Sequence, residues 1–462
     1  MQHILLIDFG STYTKVTIVD LDQEEIIGSA SAGTTIETNI MEGLNQALHK
    51  IPEPQGGWNF VRKLACSSAA GGLKMIASGL VKELTAEAAR RAALGAGARV
   101  IEIFSYELTS EDIQKITKAQ PDIILLAGGT DGGNKEILLK NAEKLLELPM
   151  SLPIVVAGNK VASPQAAELL RQRHDPVVVA GNVMPELNVL EVESARAAIR
   201  DLFLNQITQA KGLNRAEELI ERVMMPTPAA VLSAAELLAK GYGEEKGLGE
   251  LVVIDVGGAT TDVHSIATGD PSKPGVMLKG LPEPYAKRTV EGDLGMRYSA
   301  EALVAAAGRR LNHYLGWSEE EIHAQLGLLQ KDPWRVPQDE REAKFDTALG
   351  RMAVEMSVKR HVGTMEVVYT PFGATYIQIG KDLTQLPVVI GTGGVLLHHL
   401  EPGEILLGAL FDSAEPMVLK PQQPAFYLDQ EYILAAMGLL REVAPLAALR
   451  MMKKYLVNLP DD

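Results

Sequence analysis

Apolar positions in this chain fall into two kinds of run. Short apolar runs at residues 4–7, 251–254 and 388–390 read as buried strands, β-branched runs at 16–19 and 263–266 follow the first two, and 63–66 reads as a further strand. Longer stretches carry apolar residues at helical spacing: 134–148, 163–174, 229–240, a charged stretch at 318–345, and 346–361, where Leu349, Met352 and Met356 mark one face. Strands at 366–370 and 375–379 lead back to the run at 388, and residues 429–440 read as a helix with a small-residue face at Ala435, Ala436 and Gly438. In the middle of the chain three apolar strands share one ending, Ala-Gly-Gly at 127–129 and Ala-Gly-Asn at 157–159 and 180–182, with helices between them. That alternation predicts β-α-β-α-β with parallel strands at residues 121–182, and an α/β fold for the chain.

Two of the strand ends are near duplicates. Asp8-Phe9-Gly10-Ser11-Thr12-Tyr13-Thr14-Lys15 and Asp255-Val256-Gly257-Gly258-Ala259-Thr260-Thr261-Asp262 each lie between a buried run and a β-branched run, so each is expected to be a hairpin tip. A carboxylate at such a strand end can hold a hydrated magnesium ion, and glycines let backbone N–H groups approach a phosphate. Two such tips facing each other would clasp one polyphosphate. Gly391, Gly393 and Gly394 end a third buried strand and precede an apolar helical stretch, which suits a flat ring such as adenosine.

Composition narrows the partners. The 462 residues suffice for two or three cores, and 46% hydrophobic residues with few aromatics point to aliphatic α/β packing. A net charge of -15 argues against nucleic acid. Cys66 is the single cysteine, so no internal disulfide is possible, and with Leu64 and Ala65 beside it a buried structural thiol is expected. No stretch approaches the roughly 20 apolar residues that cross a bilayer, and Asp8 interrupts the N-terminal run, so no membrane partner and a cytoplasmic location are expected.

Several other motifs have structural readings. Residues 128–133 lack the G-x-G-x-x-G pattern; they read either as a tight strand-to-helix turn or as a loop bordering a nucleotide site. The loop at 67–72 reads equally as a contact for a partner or a phosphate and as a turn in the first lobe, and it is left out of the site. Glu319, Glu320 and Glu321 suit a solvated helix start, and His398 and His399 point in different directions and make no metal pair. Pro226-Thr227-Pro228 and the glycines of 241–249 bracket a helix where a crossover between lobes is expected. Residues 450–459 are too short and too weakly basic for a membrane-surface helix.

The three loops resemble the first phosphate, second phosphate and adenosine motifs of the actin, sugar kinase and Hsp70 ATPase superfamily. The resemblance implies a two-lobed actin-like ATPase fold with ribonuclease H-like lobes: a first lobe at 1–240 that includes the β-α-β region, a second at 250–400, and C-terminal helices at 401–462 returning toward the first. It implies ATP and magnesium as cofactors. Asp8, Gly10, Ser11, Thr12, Tyr13 and Lys15 match the first motif, Gly257, Gly258, Thr260 and Thr261 the second, and Gly391, Gly393 and Gly394 the adenosine motif. Asp8 and Asp262 would hold magnesium through water, and Asp255 would position the attacking water.

Over nearly all residues the chain also resembles the MutL/GlmL family of accessory proteins for adenosylcobalamin-dependent mutases and aminomutases, distinct from mismatch-repair MutL. The residues that carry this are 6–15, Leu126-Ala127-Gly128-Gly129-Thr130-Asp131-Gly132-Gly133, 254–262, Val290-Glu291-Gly292-Asp293-Leu294-Gly295 and 435–440. The resemblance implies a reactivating chaperone that uses ATP to release damaged cobalamin from a radical enzyme of the glutamate mutase or ornithine/lysine aminomutase type. Two other readings of the phosphate loops are a small-molecule kinase, which needs an acceptor pocket with a base, and a filament or scaffold ATPase.

Overall fold

The computed structural model describes residues 2–10, 13–35, 40–68, 73–209, 222–371 and 373–460. They form two compact units: Met1–Ala234 with Gly280–Pro282 and Ala435–Met451, and Ala235–Lys279 with Glu283–Leu434 and Met452–Asp462.

The first unit opens with β1 (His3–Phe9), β2 (Tyr13–Asp20) and β3 (Glu25–Gly33), an antiparallel meander. β4 (Phe60–Ser67) adds parallel to β1, and β5 (Arg222–Pro226) parallel to β4, giving the order β5-β4-β1-β2-β3. The second unit repeats this plan. Its meander is β6 (Leu251–Val256), β7 (Thr261–Ile266) and β8 (Ala286–Glu291); β9 (Val388–Thr392) adds parallel to β6 and β10 (Ala425–Leu428) parallel to β9. β11 (Val457–Leu459) closes the edge antiparallel to β10. Meander first, then two parallel strands on the far side of the first strand, is the ribonuclease H-like plan, present once in each unit.

In both sheets the first strand is central, and this decides its sequence. Leu5, Ile7 and Phe9 enter one core while Ile4 and Leu6 are buried on the opposite face; Val252, Ile254 and Val256 do the same in the second unit, with Leu251 and Val253 behind. Such a strand tolerates a carboxylate only near its end, where Asp8 and Asp255 stand.

Between β4 and β5 the first unit carries a second sheet, entirely parallel, with strands Arg99–Ser105, Lys74–Gly79, Ile123–Leu126, Ile154–Val156 and Val177–Val179 adjacent in that order. The expected β-α-β-α-β region is its second half; the strands at Lys74–Gly79 and Arg99–Ser105 were not expected. Ile123 and Leu125 pack into the core shared with β1 and β2, whereas Ile124 and Leu126 pack under the helices Ser110–Ala119, Glu136–Leu145 and Ala162–Leu170. Both parities are buried, so the run is continuously apolar. The shared Gly and Asn endings have a local cause. Asn159 donates to Thr130 O and Asp131 O, and Asn182 donates to Gly129 O and to the Asp131 carboxylate, so both asparagines hold the 128–133 turn.

The charged stretch expected at 318–345 is not one helix. Ser318 caps the helix Glu319–Lys331 with a capping box through Glu321, the chain then breaks across Pro333 and Pro337, and a single long helix runs Glu340–His361 from an Asp339 cap. Near the C-terminus the helix is Leu434–Leu440, starting five residues later than the sequence suggests, because Asp429 ends β10 and accepts from the N–H groups of Ile433 and Leu434. Its small face has a packing reason: a Cβ on Gly438 would lie 2.0 Å from Ala230 O in the helix Thr227–Lys240. Gly438→Ala is therefore expected to lower stability by about 1–3 kcal/mol through overpacking, measured by denaturant unfolding; an unchanged midpoint would contradict this packing.

Candidate functional site

The hairpin tips between β1 and β2 and between β6 and β7 are each closed by a hydrogen bond from a glycine to the residue three positions on. Gly10 N–H donates to Tyr13 O at 3.0 Å, and Gly257 N–H donates to Thr260 O at 2.9 Å. A Cβ on Gly10 would come within 2.5 Å of the carbonyl oxygen it bonds, which is the reason for glycine there. Ser11 and Thr12 lie outside the described residues. Tyr13 is partly exposed, and Lys15 pairs across the strands with Asp8.

Asp8 is buried, and one row of the sheet surrounds it. Lys15 lies opposite on β2, Cys66 opposite on β4, and Thr227 directly follows β5. The Thr227 hydroxyl donates to Asp8 Oδ1 at 2.6 Å, and the Cys66 thiol donates to the same oxygen at 3.6 Å. Burial pushes the Asp8 carboxyl above its ordinary range, opposed by the Lys15 charge and by the Thr227 and Cys66 bonds. Burial, with the Asp8 charge beside it, pushes the Cys66 thiol up as well, which removes it as a nucleophile. Oδ1 is thus committed to the protein, leaving Oδ2 as the oxygen suited to accept from a magnesium-bound water.

The second unit repeats this row with the chemistry redistributed. Asp255 pairs across β6 and β7 with Asp262 and across β6 and β9 with Thr392. Thr392 donates to Asp429 Oδ2 at 3.0 Å, and Asp429 directly follows β10 as Thr227 follows β5. Facing carboxylates on adjacent strands repel, and Arg288 on β8 relieves this by bonding Asp262 Oδ1 at 2.7 Å. Thr260 reaches the other Asp262 oxygen at 3.4 Å. Asp262 therefore already has a cation partner, and a hydrated magnesium there would share it with Arg288. Buried His264, next to Arg288 in the sheet, is held well below its ordinary range by burial and by that charge.

The three glycines after β9 are not equivalent. Gly393 has φ +101°, and a Cβ there would stand 2.5 Å from Asp255 Oδ1 and from Val256 O, so it brings its backbone against the end of β6. Nothing lies within 4 Å of a Cβ on Gly394, which is open. Gly391 differs from expectation: Leu406 and Leu396 methyl groups fill its side-chain space at 2.8 and 2.9 Å, so its missing side chain makes room for core leucines rather than for a ring.

Residues 291–299 form the back of the loop between β6 and β7. Met296 N–H donates to Gly257 O, Arg297 and Tyr298 N–H to Gly258 O, and the Ser299 hydroxyl to Ala259 O. Thr261 donates to Leu294 O, and a Cβ on Gly295 would lie 2.2 Å from the Ala259 carbonyl carbon. The Glu-Gly-Asp-Leu-Gly motif therefore packs on this loop. Sequence reasoning marked it without a role, and it missed Thr227, Cys66, Thr392, Asp429 and Arg288 as partners of the strand-end acids. The signal available for Thr227 and Asp429 is their position, each the first polar residue after the last parallel strand of its sheet.

Among the described residues no group of three or more His, Cys, Asp or Glu side chains is placed to hold a metal directly, and no helix is long and apolar enough to cross a membrane. The residues do fit a hydrated cation and an anion. Asp8 offers a carboxylate oxygen, and the N–H groups of Gly258, Ala259 and Thr260 have no protein acceptor among the described residues.

A model of the MutL protein family matches residues 4–456 of this chain. Protein MutL of Clostridium tetanomorphum is 56% identical over 461 residues, covering 99% of this chain and 100% of that protein. Among solved structures, a ligand-bound xylulose kinase from Lactobacillus acidophilus is 11% identical with a TM-score of 0.35, covering 100% of this chain and 93% of that one. A diol dehydratase-reactivating factor in nucleotide-free form is 12% identical with a TM-score of 0.35, covering 96% and 99%. Likenesses this distant carry no functional argument, and the family rests on the first two matches.

Asp8 yields a pH-dependent expectation. Its folded pKa is raised, so between the ordinary carboxylate value of 3.8 and the folded value the native state holds the extra proton, and stability falls as pH rises through that window. Above it, ionised Asp8 costs stability. Asp8→Asn, which still accepts from Thr227, is expected to match the wild-type melting temperature below about pH 4 and exceed it at pH 7, without magnesium or nucleotide. A variant less stable than wild type at pH 7 but equal at pH 4 would contradict this.

Proposed function

The chain belongs to the MutL family, and from that premise we propose that it is an ATP-dependent reactivating chaperone for an adenosylcobalamin-dependent mutase or aminomutase. The single observation that supports this most is the family match along nearly the whole chain, which includes the phosphate loops and the Glu291–Gly295 motif packed behind one of them.

In this reading ATP and magnesium are the cofactors. Asp8 holds the hydrated magnesium through the oxygen left open by Thr227 and Cys66, with Lys15 opposite. The first motif assigns Gly10, Ser11, Thr12 and Tyr13 to phosphate binding, and the second motif assigns Gly257, Gly258, Thr260 and Thr261. Gly393 and Gly394 receive the adenosine, and Gly391 supports them from the core. Asp255 would position the attacking water, and Asp262, which Arg288 already bonds, would be a further carboxylate for hydrated magnesium. Bound magnesium neutralises the triphosphate and so eases displacement at the γ-phosphoryl group.

ATP binding and hydrolysis supply a difference in affinity between two protein states, and that difference is what can open a partner holding an inactive cofactor. A mutase carrying damaged cobalamin should regain activity when this protein, magnesium-ATP and free adenosylcobalamin are added together. Asp8→Ala is expected to reduce the recovery rate at least tenfold, the scale on which a misplaced phosphoryl-transfer metal acts. Recovery at the same rate without the protein, or full activity in folded Asp8→Ala, would overturn the reading.

A further inference from the structure

In the second phosphate loop three consecutive carbonyls, those of Gly257, Gly258 and Ala259, accept hydrogen bonds from residues 296–299 of the segment 291–299. In a trans peptide the carbonyl of one residue and the N–H of the next point in opposite directions. Fixing those carbonyls toward the segment therefore turns the N–H groups of Gly258, Ala259 and Thr260 away from it, as three adjacent donors without protein acceptors among the described residues. Met296, Arg297 and Tyr298 act through their backbones. Ser299 is the one member that reaches the loop through its side chain: its hydroxyl lies 2.8 Å from Ala259 O and 2.9 Å from Gly292 O, so its one proton is shared between the loop and a carbonyl of its own segment.

The segment is itself anchored at two places on one helix. Arg297 makes a two-pronged ion pair with buried Asp346, its nitrogens 2.8 and 3.0 Å from the carboxylate oxygens, near the start of Glu340–His361. Arg360, near the other end of that helix, bonds Glu291 and both oxygens of Asp293, and its hydrogen bonds, helped by its charge, hold the Asp293 carboxyl below the usual range. The loop's donors are therefore oriented by a strap whose two ends are set by a rigid helix.

We propose that Ser299 is a positioning residue for the phosphates of the nucleotide: by holding Ala259 O it turns the Ala259–Thr260 peptide so that its N–H faces the polyphosphate, with the Arg297–Asp346 pair fixing the strap that carries it. This rests on the ATP reading given above and adds to it a residue that touches neither nucleotide nor metal. A positioning role differs from a general structural one in what it spares. Loss of the hydroxyl should weaken ligands in proportion to their phosphates and leave a ligand without phosphates alone.

The test is calorimetric binding of ATP, ADP and adenosine, each with magnesium, to wild type, Ser299→Ala and Ser299→Thr, with thermal melting of each protein. Ser299→Ala is expected to weaken ATP binding roughly tenfold, the scale of one lost hydrogen bond to a loop peptide, with adenosine affinity unchanged; Ser299→Thr, which keeps the hydroxyl, restores ATP binding. Arg297→Lys, which keeps a charge beside Asp346 but not the two-pronged bond, gives the same preference for sparing adenosine and serves if Ser299→Ala does not fold. Wild-type ATP affinity in folded Ser299→Ala, or equal losses for ATP and adenosine, would overturn the inference while leaving the ATP reading in place. Absence of ATP binding by the wild type would overturn both.

Discussion

Asp8 stands one residue from the end of a strand that is buried on both faces, so its carboxylate has lost most of its water and must be stabilised by neighbours. The sheet supplies them row by row: Lys15 from the antiparallel partner, Cys66 from the parallel one, and Thr227 from just beyond the next strand. The order of strands in the first sheet is what makes this possible. A meander on one side of β1 and parallel strands on the other bring residues 58 and 219 positions away in sequence to one oxygen. The cost of burying the acid is only partly offset, which is consistent with a site whose remaining stabilisation comes from a bound cation.

The second unit solves the same problem differently. Its strand-end acid faces another acid, Asp262, and an arginine on the third strand of the meander pairs with Asp262. Its threonine, Thr392, stands where Cys66 stands in the first sheet, and its further acid, Asp429, stands where Thr227 does. The same fold plan thus presents two chemically distinct strand ends. One is a single buried carboxylate with an open oxygen, suited to a hydrated cation; the other is a loop whose carbonyls are held from behind, suited to an anion.

The sequence made the two hairpins, their glycine turns and the parallel central strands legible because each is encoded locally, by a buried run, a polar end and a turn residue. The Lys74–Gly79 and Arg99–Ser105 strands were not legible: they bury one or both faces only because strands and helices from elsewhere cover them. The partners of Asp8 escaped for the same reason, since a hydrogen bond across 219 residues leaves no periodic trace. Burial of Cys66 could be read from Leu64 and Ala65, but its bond to Asp8 depends on the β1–β4 register. Gly391 shows the converse error, because a glycine beside a glycine-rich turn looks like space for a ligand when leucines distant in sequence already occupy it.

The central claim is that this protein uses ATP to change what another protein holds. The most direct measurement is the absorbance of corrinoid released from an inactivated adenosylcobalamin-dependent mutase, separated by size after incubation with this protein. The account predicts release that requires both the protein and magnesium-ATP and is complete before any free adenosylcobalamin is supplied. Corrinoid that stays with the mutase at saturating protein and magnesium-ATP would contradict it.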